Sequence, residues 1–236
     1  MRLAFSVGSE RLTRQVMTTR TIVGLLTLLS PALLAQTPAP RYAYIYRDSL
    51  KRGVDSAYVV IENDGAQVCA DLRCPNPYVG LESLSGVHEA WWINMFASEA
   101  DTARVASVYA TNRTLSQALG VIAQRKAALI GTPAQGFAVY RRDLSRGPAW
   151  SMAGARFIVV AVTRDRGTAD GSVWEMLDST LYVLQPARTL READALAQRN
   201  HGRVLAVRPG WSMPAADWVA ADPEFWRAAP APKGRR

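Results

Sequence analysis

The stretch Val87-His88-Glu89-Ala90-Trp91-Trp92-Ile93-Asn94-Met95-Phe96 decides the fold. Alternate residues of a strand face opposite ways. One face here carries His88, Ala90, Trp92, Asn94 and Phe96, and the other Glu89, Trp91, Ile93 and Met95. Both faces are apolar enough to need covering, so the strand is expected at the centre of a sheet. Trp91, Ile93 and Met95 make the better helix-packing stripe. That leaves His88, Trp92 and Asn94 facing a cavity, with Glu89 at its rim.

Elements of both kinds flank this strand. Tyr42 to Asp48 alternates and reads as a strand, with Tyr42, Tyr44 and Tyr46 in a row on one face. Residues 54–72 fit a helical stripe, although Val59-Val60-Ile61 followed by Asn63-Asp64-Gly65 also fits a strand and turn; helix is favoured, stopped by Cys74-Pro75-Asn76-Pro77. Residues 78–84 read as a short strand. Ser98-Glu99-Ala100-Asp101 and Thr114-Leu115-Ser116-Gln117 are capping boxes opening two helices, to about Ala110 and Leu129, and 136–141 returns as a strand. Further on, 155–165 is a strong strand, 166–171 a loop, and 173–184 a strand or a hairpin turning at Asp178-Ser179. Thr189 caps a helix to about Arg199, 203–208 is a strand and 214–226 a short helix.

The two halves echo each other. Tyr46-Arg47-Asp48 matches Thr163-Arg164-Asp165, Val87-His88-Glu89-Ala90 matches Val173-Trp174-Glu175-Met176, and Ser98-Glu99-Ala100-Asp101 matches Arg191-Glu192-Ala193-Asp194. Each half reads β-α-β-β-α-β, with most of the first helix missing from the second. The expected class is α+β: tandem ferredoxin-like repeats whose antiparallel sheets form a pseudo-dimeric α/β barrel. This element order, with the aromatic strand His88-Glu89-Ala90-Trp91-Trp92, resembles the dimeric α/β-barrel superfamily of antibiotic-biosynthesis-monooxygenase-like and NIPSNAP-type domains, over roughly residues 41–210. The resemblance implies a pocket for a small hydrophobic molecule between the sheets. Its members include cofactor-free oxygenases, haem-degrading enzymes and proteins without known activity, so the fold alone licenses no reaction.

The chain has 236 residues and a net charge of +8. Residues 1–35 hold four arginines and one acid, with an uncharged run from Thr21 to Ala35, and read as a secretory signal cleaved after Ala35. Met17 is an alternative start. Residues 36–40 are a Pro-rich linker, 41–150 the first repeat, 151–227 the degenerate second, and 228–236 a frayed basic tail. With the signal and Lys233, Arg235 and Arg236 set aside, the body is left at about +2, with no basic stripe, which argues against nucleic acid. The expected product is periplasmic or extracellular, a monomer or homodimer, with no stable membrane span after signal cleavage.

Candidate site residues are few. His88 is the best catalytic candidate, as a general base or haem ligand, although ordinary hydrogen bonding at a strand start explains it more simply. Tyr44, Tyr46, His88, Trp92 and Asn94 are the candidate ligand-binding set. Cys69 and Cys74 suit a disulfide in an exported protein, provided the helix ends near Leu72. Arg141, Arg142 and Arg146 could receive a carboxylate, but isolated surface arginines are commoner. The two histidines and scattered acids make no metal set, and no hydrolase or phosphate-loop motif is present. The leading reading is a protein that binds a small apolar molecule between its sheets, without catalysis and without a cofactor. A cofactor-free or haem-dependent oxygenase is the alternative, and a structural protein with no pocket the second.

Overall fold

Residue 89–96 alternation acquires its physical meaning in the sheet. In the computed structural model, which describes residues 40–146 and 150–233, β3 (Glu89–Phe96) lies between β1 (Tyr42–Ser49) and β2 (Tyr78–Ser83), antiparallel to both. The outer neighbour of β1 is β4 (Ala134–Tyr140). The expected signal segment, most of the expected linker and the last three residues lie outside the described residues. The first half runs β1, α1 (Asp55–Leu72), β2, β3, α2 (Glu99–Thr111), α3 (Arg113–Ala127), β4. Its sheet order is β4-β1-β3-β2.

A two-residue strand, β5 (Ser145–Arg146), follows. The second half contains β6 (Phe157–Thr163), β7 (Ala169–Asp170), β8 (Ser172–Met176), β9 (Leu181–Ala187), α4 (Leu190–Asn200) and β10 (Arg203–Val207). Its sheet order is β10-β6-β9-β8, the same plan as the first. The halves join along two seams, β2 with β10 and β4 with β8, and close an eight-stranded barrel. The tandem ferredoxin-like expectation therefore holds, with one correction to the internal alignment. The sequence echo put 87–90 onto 173–176, but sheet position equates β3 with β9 and β8 with β2.

A second correction concerns the space between the sheets. Ile45, Trp91, Ile93, Trp174, Leu184 and Leu205 meet there, each at most 1% exposed, so the middle of the barrel is a filled core, and the space left at one end, bordered by Arg47, Met176 and Tyr182, is only about 280 Å³. The stripe Trp91, Ile93, Met95 points into this core and not onto helices. A closed barrel of this size is filled by its own side chains, and the bulkiest apolar face serves that purpose. Beyond the ends of β6 and β10, Trp150, Met152, Trp218 and Trp226 extend the core. The last two belong to α5 (Ala216–Ala221) and α6 (Pro223–Trp226).

Helix limits follow local chemistry. Ser98 accepts a bond from the Asp101 N–H, and Thr189 from the Glu192 N–H, as their capping boxes predict. The third box is displaced: Asn112, not Thr114, caps α3 by accepting from the Leu115 N–H, because α2 runs on to Thr111 and leaves a single junction residue. Helix α1 stops at Arg73, whose left-handed backbone (φ 57°) turns the chain toward Cys74. Cys69 and Cys74 are joined by a disulfide across a Cα–Cα separation of 4.7 Å. The tail is also not free after Ala228. Gln67 Nε2 donates to the Ala231 carbonyl at 2.8 Å, and the Lys233 N–H donates to Asp71 Oδ1 at 2.8 Å, tying these residues to α1.

Candidate functional site

The other face of β3 builds the site. Tyr44 and Tyr46 on β1 and Trp92, Asn94 and Phe96 on β3 point away from the barrel core and toward α1, α2 and α3. Between this floor and the helices lies a cleft of about 580 Å³. Its floor is aromatic. Its helical walls are mostly smaller, with Gly65 and Ala66 on α1, Val105 and Ala106 on α2, and Ile122 and Ala123 on α3, although Tyr109 of α2 adds a ring from that side. Rings below and mostly short side chains above leave a slot between helix and sheet that suits a flat ligand. Tyr44 and Phe137 pack together at one side of it, with ring centroids 4.8 Å apart.

A charged cluster occupies one end. Lys126 from α3 reaches Asp48 Oδ2 at 3.1 Å and Glu62 Oε1 at 3.0 Å, and its ammonium lies 4.5 Å from the centroid of the Trp92 ring. Tyr58 donates to Asp48 Oδ2 at 2.7 Å. Asp48 is fully buried and Glu62 is 5% exposed. The Lys126–Glu62 contact is a mostly buried ion pair, and both side chains line the cleft. Burial raises the Glu62 carboxyl above its ordinary range, outweighing the nearby Lys126. Burial and the adjacent carboxylates likewise push the Tyr46 and Tyr58 phenols well upward, which keeps them protonated.

An amide pair sits further along the cleft. Asn76 Nδ2 donates to Asn94 Oδ1 at 2.9 Å and to the Pro77 carbonyl at 3.1 Å. Asn94 Nδ2 donates in turn to the Tyr44 carbonyl at 3.4 Å. Asn76 Oδ1 is buried and accepts no bond.

Four of the candidate residues, Tyr44, Tyr46, Trp92 and Asn94, line this one cleft, but between helices and sheet rather than between the sheets. His88 does not join them. It precedes β3, is 40% exposed, and its Nε2 lies 3.2 Å from Asp55 Oδ1. Its side chain thus lies beside Asp55 at the start of α1, outside the cleft. Arg141 is engaged by Asp143 and Glu175 rather than free for a ligand. The residues read past in the sequence are Glu62, Asn76 and Lys126. Glu62 and Lys126 look like ordinary polar positions on amphipathic helices, and nothing local signals that α1 and α3 bring them together. The pair Pro75-Asn76-Pro77 was a usable signal, since two prolines fix an asparagine rigidly.

The lining does not fit a haem held by histidine or thiolate. His88 lies outside the cleft, Cys69 is consumed by its disulfide, and the buried phenols are pushed away from phenolate. Among the described residues no cluster of three or more His, Cys, Asp or Glu side chains could hold a metal ion.

No protein-family model matches the chain, and no curated protein sequence is significantly similar. A solved structure provisionally named a monooxygenase, from Fusobacterium nucleatum subsp. nucleatum, superposes with a TM-score of 0.45 at 7% identity, covering 75% of this chain and 94% of its own. An anthrone oxidase-like protein gives 0.44 at 9% identity over 72% and 92%. A second provisionally named monooxygenase, from Lactobacillus acidophilus NCFM, gives 0.40 at 7% over 79% and 89%.

Proposed function

We propose that the protein binds a small, flat, largely apolar molecule in the cleft between α1–α3 and the outer face of β1 and β3. The observation that carries this reading is the cleft itself: about 580 Å³ with an aromatic floor, within the size range of sites for small molecules. Ala66 is 2% exposed and lines the cleft. Ala66→Trp should fill the slot. The test is calorimetric titration with 2-naphthol, where the unaltered protein should give a saturable heat and the filled variant none. Equal binding by both proteins would move the site elsewhere.

A second reading has one specific support. Glu62 lines the cleft beside Lys126 and has a raised proton affinity, the property that a base taking a proton from a bound molecule needs. That is a first step a cofactor-free oxygenase could use, as the family resemblance implies. Oxygen uptake during turnover, abolished in Glu62→Gln while ligand binding persists, is the expected signature.

The reading also sets the protein outside the reducing cytoplasm. The Cys69–Cys74 disulfide supports this, as does the basic-then-apolar composition of residues 1–35. The mass of the exported chain should correspond to a start at Gln36.

A further inference from the structure

One end of the barrel is not filled by its own side chains. The space of about 280 Å³ left there lies between the sheets, and of its lining only Phe137 also borders the helix-covered cleft. Strand alternation explains the change of character. Ala43, Ile45 and Arg47 take successive inward positions of β1. The first two are buried in the core. The third brings an arginine to the mouth, where the core ends.

The Arg47 guanidinium is held in place but not paired. It lies 5.0 Å from the centroid of the Trp91 ring and 5.8 Å from that of Tyr182. Ring faces offset its charge but do not supply the paired oxygens that a guanidinium fork matches. The nearby carboxylates are committed elsewhere. Glu89 Oε2 takes Arg203 Nη1 at 2.9 Å and the Trp91 Nε1–H at 2.8 Å. Asp178 Oδ1 accepts from the Thr180 N–H at 3.0 Å, within the turn between β8 and β9. Among the described residues, then, no carboxylate pairs with Arg47 and no protein group accepts from its N–H groups, yet its nitrogens are not among the buried polar atoms that lack a partner. Solvent therefore reaches them. For a half-buried, inward-facing side chain the way in is the mouth that it borders.

The rest of the mouth suits one kind of molecule. The Tyr182 hydroxyl has no protein partner and is not a buried unmatched atom either. Burial pushes its phenol upward, which keeps it a donor. Ile45, Met176 and Leu177 are apolar borders, and Leu177 is 85% exposed. An inorganic anion would leave these borders uncovered. The size is at the low end for small-molecule sites.

We infer that the barrel mouth is a second ligand site, for a small organic carboxylate whose charged end is taken by Arg47 and whose apolar body covers Ile45, Met176 and Leu177. Tyr182 is the additional donor. This site is separate from the helix-covered cleft and stands or falls independently of it.

The test titrates 4-fluorobenzoate and 4-fluorobenzamide, alike in shape but differing in charge, into the oxidised full chain at neutral pH, read by fluorine NMR. The benzoate should bind about tenfold tighter. Arg47→Met keeps an unbranched stem over Trp91 and should bring the two probes within about twofold of each other. Ala66→Trp, which fills the helix-covered cleft, should leave the preference as it was. Equal binding of the two probes by the unaltered protein, or no binding of the benzoate, overturns the inference. A preference that survives in Arg47→Met also overturns it. If that surviving preference is lost in Ala66→Trp, the carboxylate sits beside Lys126, and the cleft gains what the barrel mouth loses. Should the methionine variant not fold, Arg47→Gln replaces it with the same expectation.

Discussion

The two halves of the barrel share one sheet plan and differ on their outer faces. In the first half the outward residues of β1 and β3 are mainly rings, with the amide of Asn94 among them, and three helices roof them. In the second half the outward face is mainly aliphatic, with Phe157 its ring. Val159, Ala187 and Val204 pack directly on Ala193 of α4. The place of the missing first helix is taken by a strap: β5 pairs with β7, and Leu144 packs on Val173, Leu181 and Val183. The strap is fastened by Glu175, which takes both Arg141 and Arg166. The lesson is that a cleft on this fold needs a roof held off by large floor residues. Replace the helix by a strap and the floor by valine and alanine, and the same sheet closes up.

The sharpest way to break the comparison is at the shared core. Trp91 is fully buried between the sheets. Trp91→Ala should cost about 4 kcal/mol by urea unfolding, and Trp92→Ala, one residue on but facing the cleft, clearly less. Equal losses would mean that the cleft is as tightly packed as the core. Next comes one substitution made in both halves. Ala193→Leu forces bulk into a closed layer and should cost about 2 kcal/mol. Ala66→Leu has the cleft to enter and should cost under about 1 kcal/mol while weakening 2-naphthol binding. The disulfide belongs only to the helical half. Replacing Cys69 and Cys74 by serine should remove about 2 kcal/mol, the loop-closure effect of so short a loop.

The smallest effect is on pH dependence. Folded Glu62 holds its proton to higher pH than an unfolded glutamate, whose ordinary value is 4.5, because burial disfavours the carboxylate. Its contribution to stability is therefore full below 4.5 and is lost as pH rises through the folded value. Glu62→Gln should flatten the fall in melting temperature between acid and neutral pH. A steeper fall in the variant would mean that Lys126 controls the group instead.

Much of the architecture was legible because strand alternation and capping are local. Tyr42 to Asp48, residues 87–96 and the Ser98 and Thr189 boxes carry their structure in their own spacing. Which face of β3 turned inward was not legible. Both faces are apolar, and the choice depends on whether the opposing sheet or the helices need the larger volume. The cleft was half legible: Tyr44, Tyr46, Trp92 and Asn94 share a face by register alone. Glu62 and Lys126 are brought together only by the packing of α1 on α3, which no periodicity records.

The seam between β2 and β10 has a consequence for how the chain reaches this state. Val207 pairs with Leu81, so the ring is closed by the last strand made. Until β10 emerges, β2 and β6 each keep an open edge, and the Trp91 side of the first sheet has nothing complete to pack against. Pairing between such distant residues is slow. Truncation before residue 203 should therefore yield a chain with two open sheet edges that sticks to copies of itself rather than a smaller folded domain.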